Sequence, residues 1–210
     1  MTMQRRTHFG LRLLRDRCGI SSVEFALVCV IFLVFIFALI DFGRAMWEWN
    51  AAAKATQVGV RFAVVNDMVS AQLANLKLVG VAGLGAGDSV PVGTPGTGPV
   101  TCTSSGCNDS ANPGTFSTDP AKYNAAAFDA IVARMQAIYG RIKPENVVVE
   151  YRHVGLGFVG NPAGSDIDPA VTVRLTGLVF NFVTPGLVGI ISLNLPAFAA
   201  TLTGEDHRTG

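Results

Sequence analysis

Three histidines and four cysteines are the first places to look for chemistry in this chain of 210 residues. His8, His153 and His207 are scattered, and no two have the spacing of a metal-ligand pair. His153 falls in an alternating stretch and reads as a sheet-face residue rather than a base. No Gly-x-Ser-x-Gly elbow and no His-Glu-x-x-His helix occurs. Asp166 and Asp168, in Gly164-Ser165-Asp166-Ile167-Asp168-Pro169, could hold a hard cation, but two carboxylates in such a run read first as a solvated turn. Gly83, Gly85 and Gly87 are followed by Pro91 rather than a helix start, with no Lys-Ser/Thr, so they do not make a phosphate loop. Asn108-Asp109-Ser110 matches a glycosylation sequon, a pattern common by chance. Cys102 and Cys107 are a close pair that outside the cytoplasm would form a disulfide, contributing about 2 kcal/mol by chain entropy. Metal binding by the two thiols would need two further ligands. The patterns lead us to expect no enzyme activity, no cofactor, no metal and no small-molecule substrate.

One ionisable group is expensive where it stands. Glu24 opens a segment, Phe25 to Ile40, of sixteen residues without charge, Gly or Pro. An acid at the centre of a membrane helix costs roughly 2.5–3.5 kcal/mol, and less near an end. Glu24 is therefore either an interfacial acid or a charge partner. A cut before Ile20 would supply the partner, an ammonium group one helical turn away or on a neighbouring subunit.

The elements around this acid follow from composition. Half of the chain is hydrophobic, 15% is charged, the net charge is +1 and the mean hydropathy is +0.41. That excludes a disordered chain and gives no general reason to expect nucleic acid. The excess hydrophobicity is local. Residues 20–40 would span about 30 Å as a helix, the thickness of a bilayer core. Arg5, Arg6, Arg12, Arg15 and Arg17 precede it against a single acid, Asp16, which places the N-terminus in the cytoplasm and the rest outside. Anionic lipid or nucleic acid could also attract these arginines. A cleaved signal peptide is the competing reading, but its apolar region is usually shorter, and Asp41 and Arg44 intrude on the formal site at Gly43-Arg44-Ala45.

The helical pattern continues past the apolar run. Ala45 to Ala55 is rich in helix formers, Trp47 and Trp49 suit a membrane boundary, and Val58, Phe62, Val65 and Val69 form a stripe. The pattern predicts one helix from about Ser21 to about Met68, with weaker continuation to Leu78, roughly 70 Å long. Residues 80–118 are dominated by Gly, Pro, Ser and Thr and read as a long exposed loop with room for short strands. A second helix is expected over Pro120–Tyr139, capped by Thr118 or Asp119, with Gly140 at its exit. Period-two runs at 147–153, 171–182, 190–195 and 198–202 predict strands. The expected fold is α+β: a long N-terminal helix, transmembrane in its first half, packed on a head with one further helix and a three- or four-stranded antiparallel sheet. The corresponding divisions are a basic cytoplasmic leader (1–19), the helix (20–78), the loop (79–118) and an extracytoplasmic head (119–210).

Gly19-Ile20-Ser21-Ser22-Val23-Glu24-Phe25-Ala26-Leu27-Val28 has the Gly, four-residue spacer and Glu of type IV pilin-like leaders. With Asp41-Phe42-Gly43-Arg44-Ala45 and Ala53 to Gly59-Val60-Arg61-Phe62-Ala63, it resembles the TadE-like family of the tight-adherence (Flp) pilus system. Val60 stands where that family usually has Ala, and Cys29-Val30 where it often has a Pro. The strong resemblance covers about residues 19–63, while the strand-rich C-terminus resembles the family only weakly. It implies a minor pilin or pseudopilin held in the bacterial inner membrane. Its expected partners are membrane lipid, a prepilin peptidase cutting between Gly19 and Ile20, other pilus subunits and the Tad assembly machinery. Glu24 would serve assembly. The alternative is a membrane-anchored accessory protein of a secretion system that never enters a filament.

Overall fold

The computed structural model describes residues 18–109, 112–162, 164–183 and 192–204. The arginine-rich leader lies outside the described residues. Helix α1, Cys18–Val65, runs unbroken for 48 residues. Helix α2, Ala71–Ala74, is a single turn, and α3 spans Ala125–Gln136. The strands are β1 Val100–Thr103, β2 Gly106–Asp109, β3 Asn112–Ser117, β4 Val147–Arg152, β5 Ala170–Leu175, β6 Val179–Asn181, β7 Ser192–Asn194 and β8 Phe198–Thr203. The main sheet has the order β3-β2-β1-β4-β5-β8 with every pair antiparallel, while β6 and β7 form a separate ribbon. The fold is α+β, with a head built on this sheet.

The chain divides into two compact units: Met1–Ala45 with Asn181–Ser192, and Met46–Phe180 with Leu193–Gly210. In the first, α1 is long and apolar enough to cross a membrane, and none of its apolar window is buried. In the second, the period of two sends Val147, Val149 and Tyr151 of β4 and Val171, Val173 and Leu175 of β5 into one core. Phe128, Ile131, Val132 and Met135 of α3 join them, with Ala52, Ala55, Val60, Ala63 and Val64 of α1. The opposite face of β4 and β5 is polar: Glu150 accepts from Arg152 at 3.0 Å and from Arg174 at 2.9 Å.

Four expectations change. The sheet has six strands because the Gly/Pro-rich stretch supplies β1, β2 and β3 to its edge. Strands of four residues show too little alternation to stand out among so many turn formers. Of the expected stripe Val58, Phe62, Val65 and Val69, Val69 is fully buried and Phe62 packs half-buried against the core, but Val65 is 52% exposed, so this is not the main buried stripe of α1. That stripe is the neighbouring row of small residues, which lets other elements come close: a Cβ on Gly59 would stand 2.8 Å from Met135 Cγ and Sδ.

Helix α1 stops at Val65, earlier than the pattern suggests, because Val69 is claimed by tertiary partners. Its N–H donates to the Tyr151 hydroxyl at 2.9 Å and its carbonyl accepts from Asn124 N–H at 2.8 Å. Helix α3 starts later than expected. Asp119 caps only a turn, accepting from Ala121 N–H at 3.0 Å, and Asn124 is the cap, accepting from Ala127 N–H at 3.1 Å.

Because Gly59 faces Met135 with no space to spare, Gly59→Val should destabilise the full chain by about 1–3 kcal/mol through overpacking. Combining it with Met135→Ala should cost less than the sum of the two single changes. Denaturant unfolding of the parent and the three variants measures this.

Candidate functional site

The first turn of α1 carries the backbone of Gly19 and Ile20, and Glu24 follows on its exposed surface. Most residues from Phe25 to Ile40 are exposed, Phe25 at 73%, while Cys29, Val34, Ile36 and Ala38 are half-buried. Glu24 therefore stands at the start of a surface that water would not favour.

Asp41 closes the apolar run. It is only 2% exposed. Its carboxylate accepts from Arg44 Nη1 at 3.0 Å, and from the Val183 N–H at 3.1 and 3.2 Å. The sequence showed Asp41 as part of a motif but gave it no task. The signal that could have found it is its position, a charge directly after sixteen apolar residues.

Glu48 is a second buried acid of α1 that sequence reasoning missed. It accepts from the Tyr139 hydroxyl at 2.9 Å and from Arg141 Nη1 at 2.7 Å. Burial, followed by the bond to Glu48, pushes the Tyr139 hydroxyl up to about 12. Trp47 and Trp49, flanking Glu48, make edge contacts with Tyr139 and Phe198. The ion pair holds the turn after α3 onto α1. Its partners lie 93 residues apart, so no local pattern could have matched them.

Cys102 and Cys107 face one another across β1 and β2 and form a disulfide, with a Cα–Cα distance of 4.0 Å. Both are buried in the head core. Gly106 enters β2 at φ 109°, where a Cβ would overlap the Ser117 carbonyl, so the hairpin needs glycine there.

Asp166 is not a solvated turn residue. It is fully buried and accepts from Leu78 N–H at 2.7 Å and Asn161 N–H at 3.1 Å, with Lys77 Nζ at 3.7 Å. Asp168 is only partly buried, and its N–H donates to the Leu156 carbonyl at 3.0 Å. His153 follows β4 and is buried, its Nε2 lying 3.0 Å from the Val90 carbonyl oxygen. A groove of about 610 Å³ lies between the 92–99 loop, Arg152 and His153. Among the described residues no three His, Cys, Asp or Glu side chains group as a metal site.

A family model for TadE-like protein matches residues 19–61. Residues 19–61 are TadE-like. The match opens at Gly19 and takes in Glu24, Asp41, Arg44, Glu48 and Gly59, while the sheet lies beyond it. No curated protein and no solved structure matches the chain. The TadE-like segment associates the chain with the Tad pilus, and its helix could anchor in a membrane.

Burial raises the Asp166 carboxyl, but the amides of Leu78, Gly160 and Asn161 and the Lys77 ammonium outweigh it and hold the pKa below its ordinary value. A carboxyl depressed in the fold stabilises fully above its unfolded pKa of about 3.9, and that contribution is lost as pH falls through the folded value. Asp166→Asn should therefore cost about 1–3 kcal/mol at neutral pH. The gap to the parent protein should narrow on acidification below about pH 4, as urea titrations across the range would show.

Proposed function

We propose that this chain is a minor pilin or pseudopilin of a tight-adherence pilus. Its N-terminus lies in the cytoplasm, α1 crosses the inner membrane and the head is extracytoplasmic. The observation that carries this reading is the TadE-like match itself, which begins at Gly19 and includes the acid and the apolar run that follow. The disulfide between Cys102 and Cys107 supports an oxidising compartment for the head. The role is structural, in assembly of the filament, and calls for no catalytic group, cofactor, nucleic acid or small-molecule substrate. The partners are membrane lipid, a prepilin peptidase, other pilus subunits and the Tad machinery.

In this reading the peptidase cuts between Gly19 and Ile20. Glycine at the cut leaves the backbone open to close approach. Cleavage removes the arginines that keep the precursor at the cytoplasmic face, and frees an ammonium at Ile20. In a medium of low dielectric a lone charge is costly, so pairing with Glu24 of an adjacent subunit offsets much of that cost and sets the axial register.

Intact-mass measurement on protein from cells carrying the matching peptidase should give a chain beginning at Ile20. Replacing Gly19 by a bulky residue should leave the precursor uncut. Glu24→Gln should be inserted and cut normally, yet reach sheared pili in smaller amounts. A mature chain that begins at Met1, or after Ala45, contradicts the processing model.

A further inference from the structure

Asp41 follows Ile40, the last residue of the apolar run, on the same helix. Its nearly buried carboxylate holds the Val183 N–H at 3.1 and 3.2 Å. Val183 therefore lies at whatever depth Asp41 has. Its side chain is 67% exposed, and Phe42, next to Asp41, is 65% exposed. Two exposed apolar side chains thus lie beside the buried acid that ends the apolar run of α1.

The sequence around Val183 points the same way. From Leu175 to Gly204 there is no Asp, Glu, Lys, Arg or His, and while Leu175, Leu178, Phe180 and Phe198 of this run are buried, Val183 is not. At the chain's 15% charged content, thirty residues would carry between four and five charges. The other uncharged run of comparable apolar character is the helix segment just before Asp41.

Resting on the reading of α1 as a membrane span, we propose that the chain leaving β6, at Phe182 and Val183, is a second lipid contact. It sits in the interfacial layer of the leaflet where the apolar run of α1 ends. The chemistry of the contact is consistent with that layer. An unpaired backbone N–H is costly there, and the Asp41 carboxylate satisfies the one on Val183. Arg44, 40% exposed and paired with Asp41, places a cation at the level of the headgroup phosphates. The partner is the bilayer surface. The competing occupant is a second copy of this chain covering Val183.

Fluorophore labels at Val183→Cys, Phe35→Cys and Ser104→Cys test this, each in full-length protein with Cys18→Ser and Cys29→Ser, in phosphatidylcholine vesicles containing doxyl-labelled lipid. Position 35 reports the span and position 104 the hairpin turn of the head. We expect quenching at 35 and 183 at least about twofold above that at 104. Adding Asp41→Ala should lower quenching at 183 and leave it unchanged at 35; an unaltered signal at 183 overturns the tether. If 35 is quenched but 183 behaves like 104, the lipid contact is wrong and the span stands. Disulfide cross-linking of two copies of the unlabelled Val183→Cys protein through position 183, without quenching of the labelled one, also overturns it in favour of the second copy. If 35 is not quenched, the span and the lipid contact fall together.

Discussion

A single helix has to suit two surroundings. Over residues 25–40 none of the apolar side chains of α1 is buried and most are exposed. From Ala52 to Val64 one face is buried, through Ala52, Ala55, Val60, Ala63 and Val64, with Lys54, Gln57 and Arg61 on the exposed side. In hydrocarbon a helix must satisfy every backbone group internally, which forbids a break there. In the head, the helix must instead offer a narrow face flat enough for close packing, which is why Gly59 and three alanines line it. The change of regime falls over about two turns and is marked by two buried carboxylates, Asp41 and Glu48. Each is satisfied by groups from far along the chain, Val183 for one and Tyr139 with Arg141 for the other.

The head depends on the same economy of polar groups. Its loops are long, and side chains that accept backbone N–H bonds hold them in place. Tyr151 receives Val69, Asp166 receives Leu78 and Asn161, and Asn124 receives Ala127. A buried N–H left without a partner costs about 1–3 kcal/mol, so losing any one of these acceptors matters more than losing an exposed ion pair such as Lys143 with Glu145. The same contacts set element boundaries: Val69 cannot continue α1 while both of its backbone groups are bonded to the sheet and to the start of α3.

Much of this was legible in the sequence where the signal was local and long. The apolar run, the continuous helix, β4 and β5 with their alternation, and the TadE-like motif all declare themselves within a few tens of residues. What failed to show was non-local. Val58, Phe62 and Val65 made the more hydrophobic stripe, yet close packing selected the row through Ala52, Ala55 and Ala63, because size rather than hydropathy decides how near two elements can come. Asp166 read as a turn acid because its partner at Leu78 lies 88 residues away. The strands β1 to β3 were hidden by their Gly, Ser and Thr, although the cysteine pair that faces across β1 and β2 was visible. Asp41 and Glu48 were ordinary helix residues until their distant partners were in view.

A membrane span that continues into the head requires α1 to be one uninterrupted helix through the change of regime. Hydrogen–deuterium exchange of the full chain in lipid nanodiscs measures this residue by residue. The account predicts slow exchange running without a gap from the apolar run through Asp41 and Glu48 into the stretch that packs in the head. Fast exchange confined to the residues between Asp41 and Ala52, with protection on both sides, would mean two helices joined by a hinge and would contradict it.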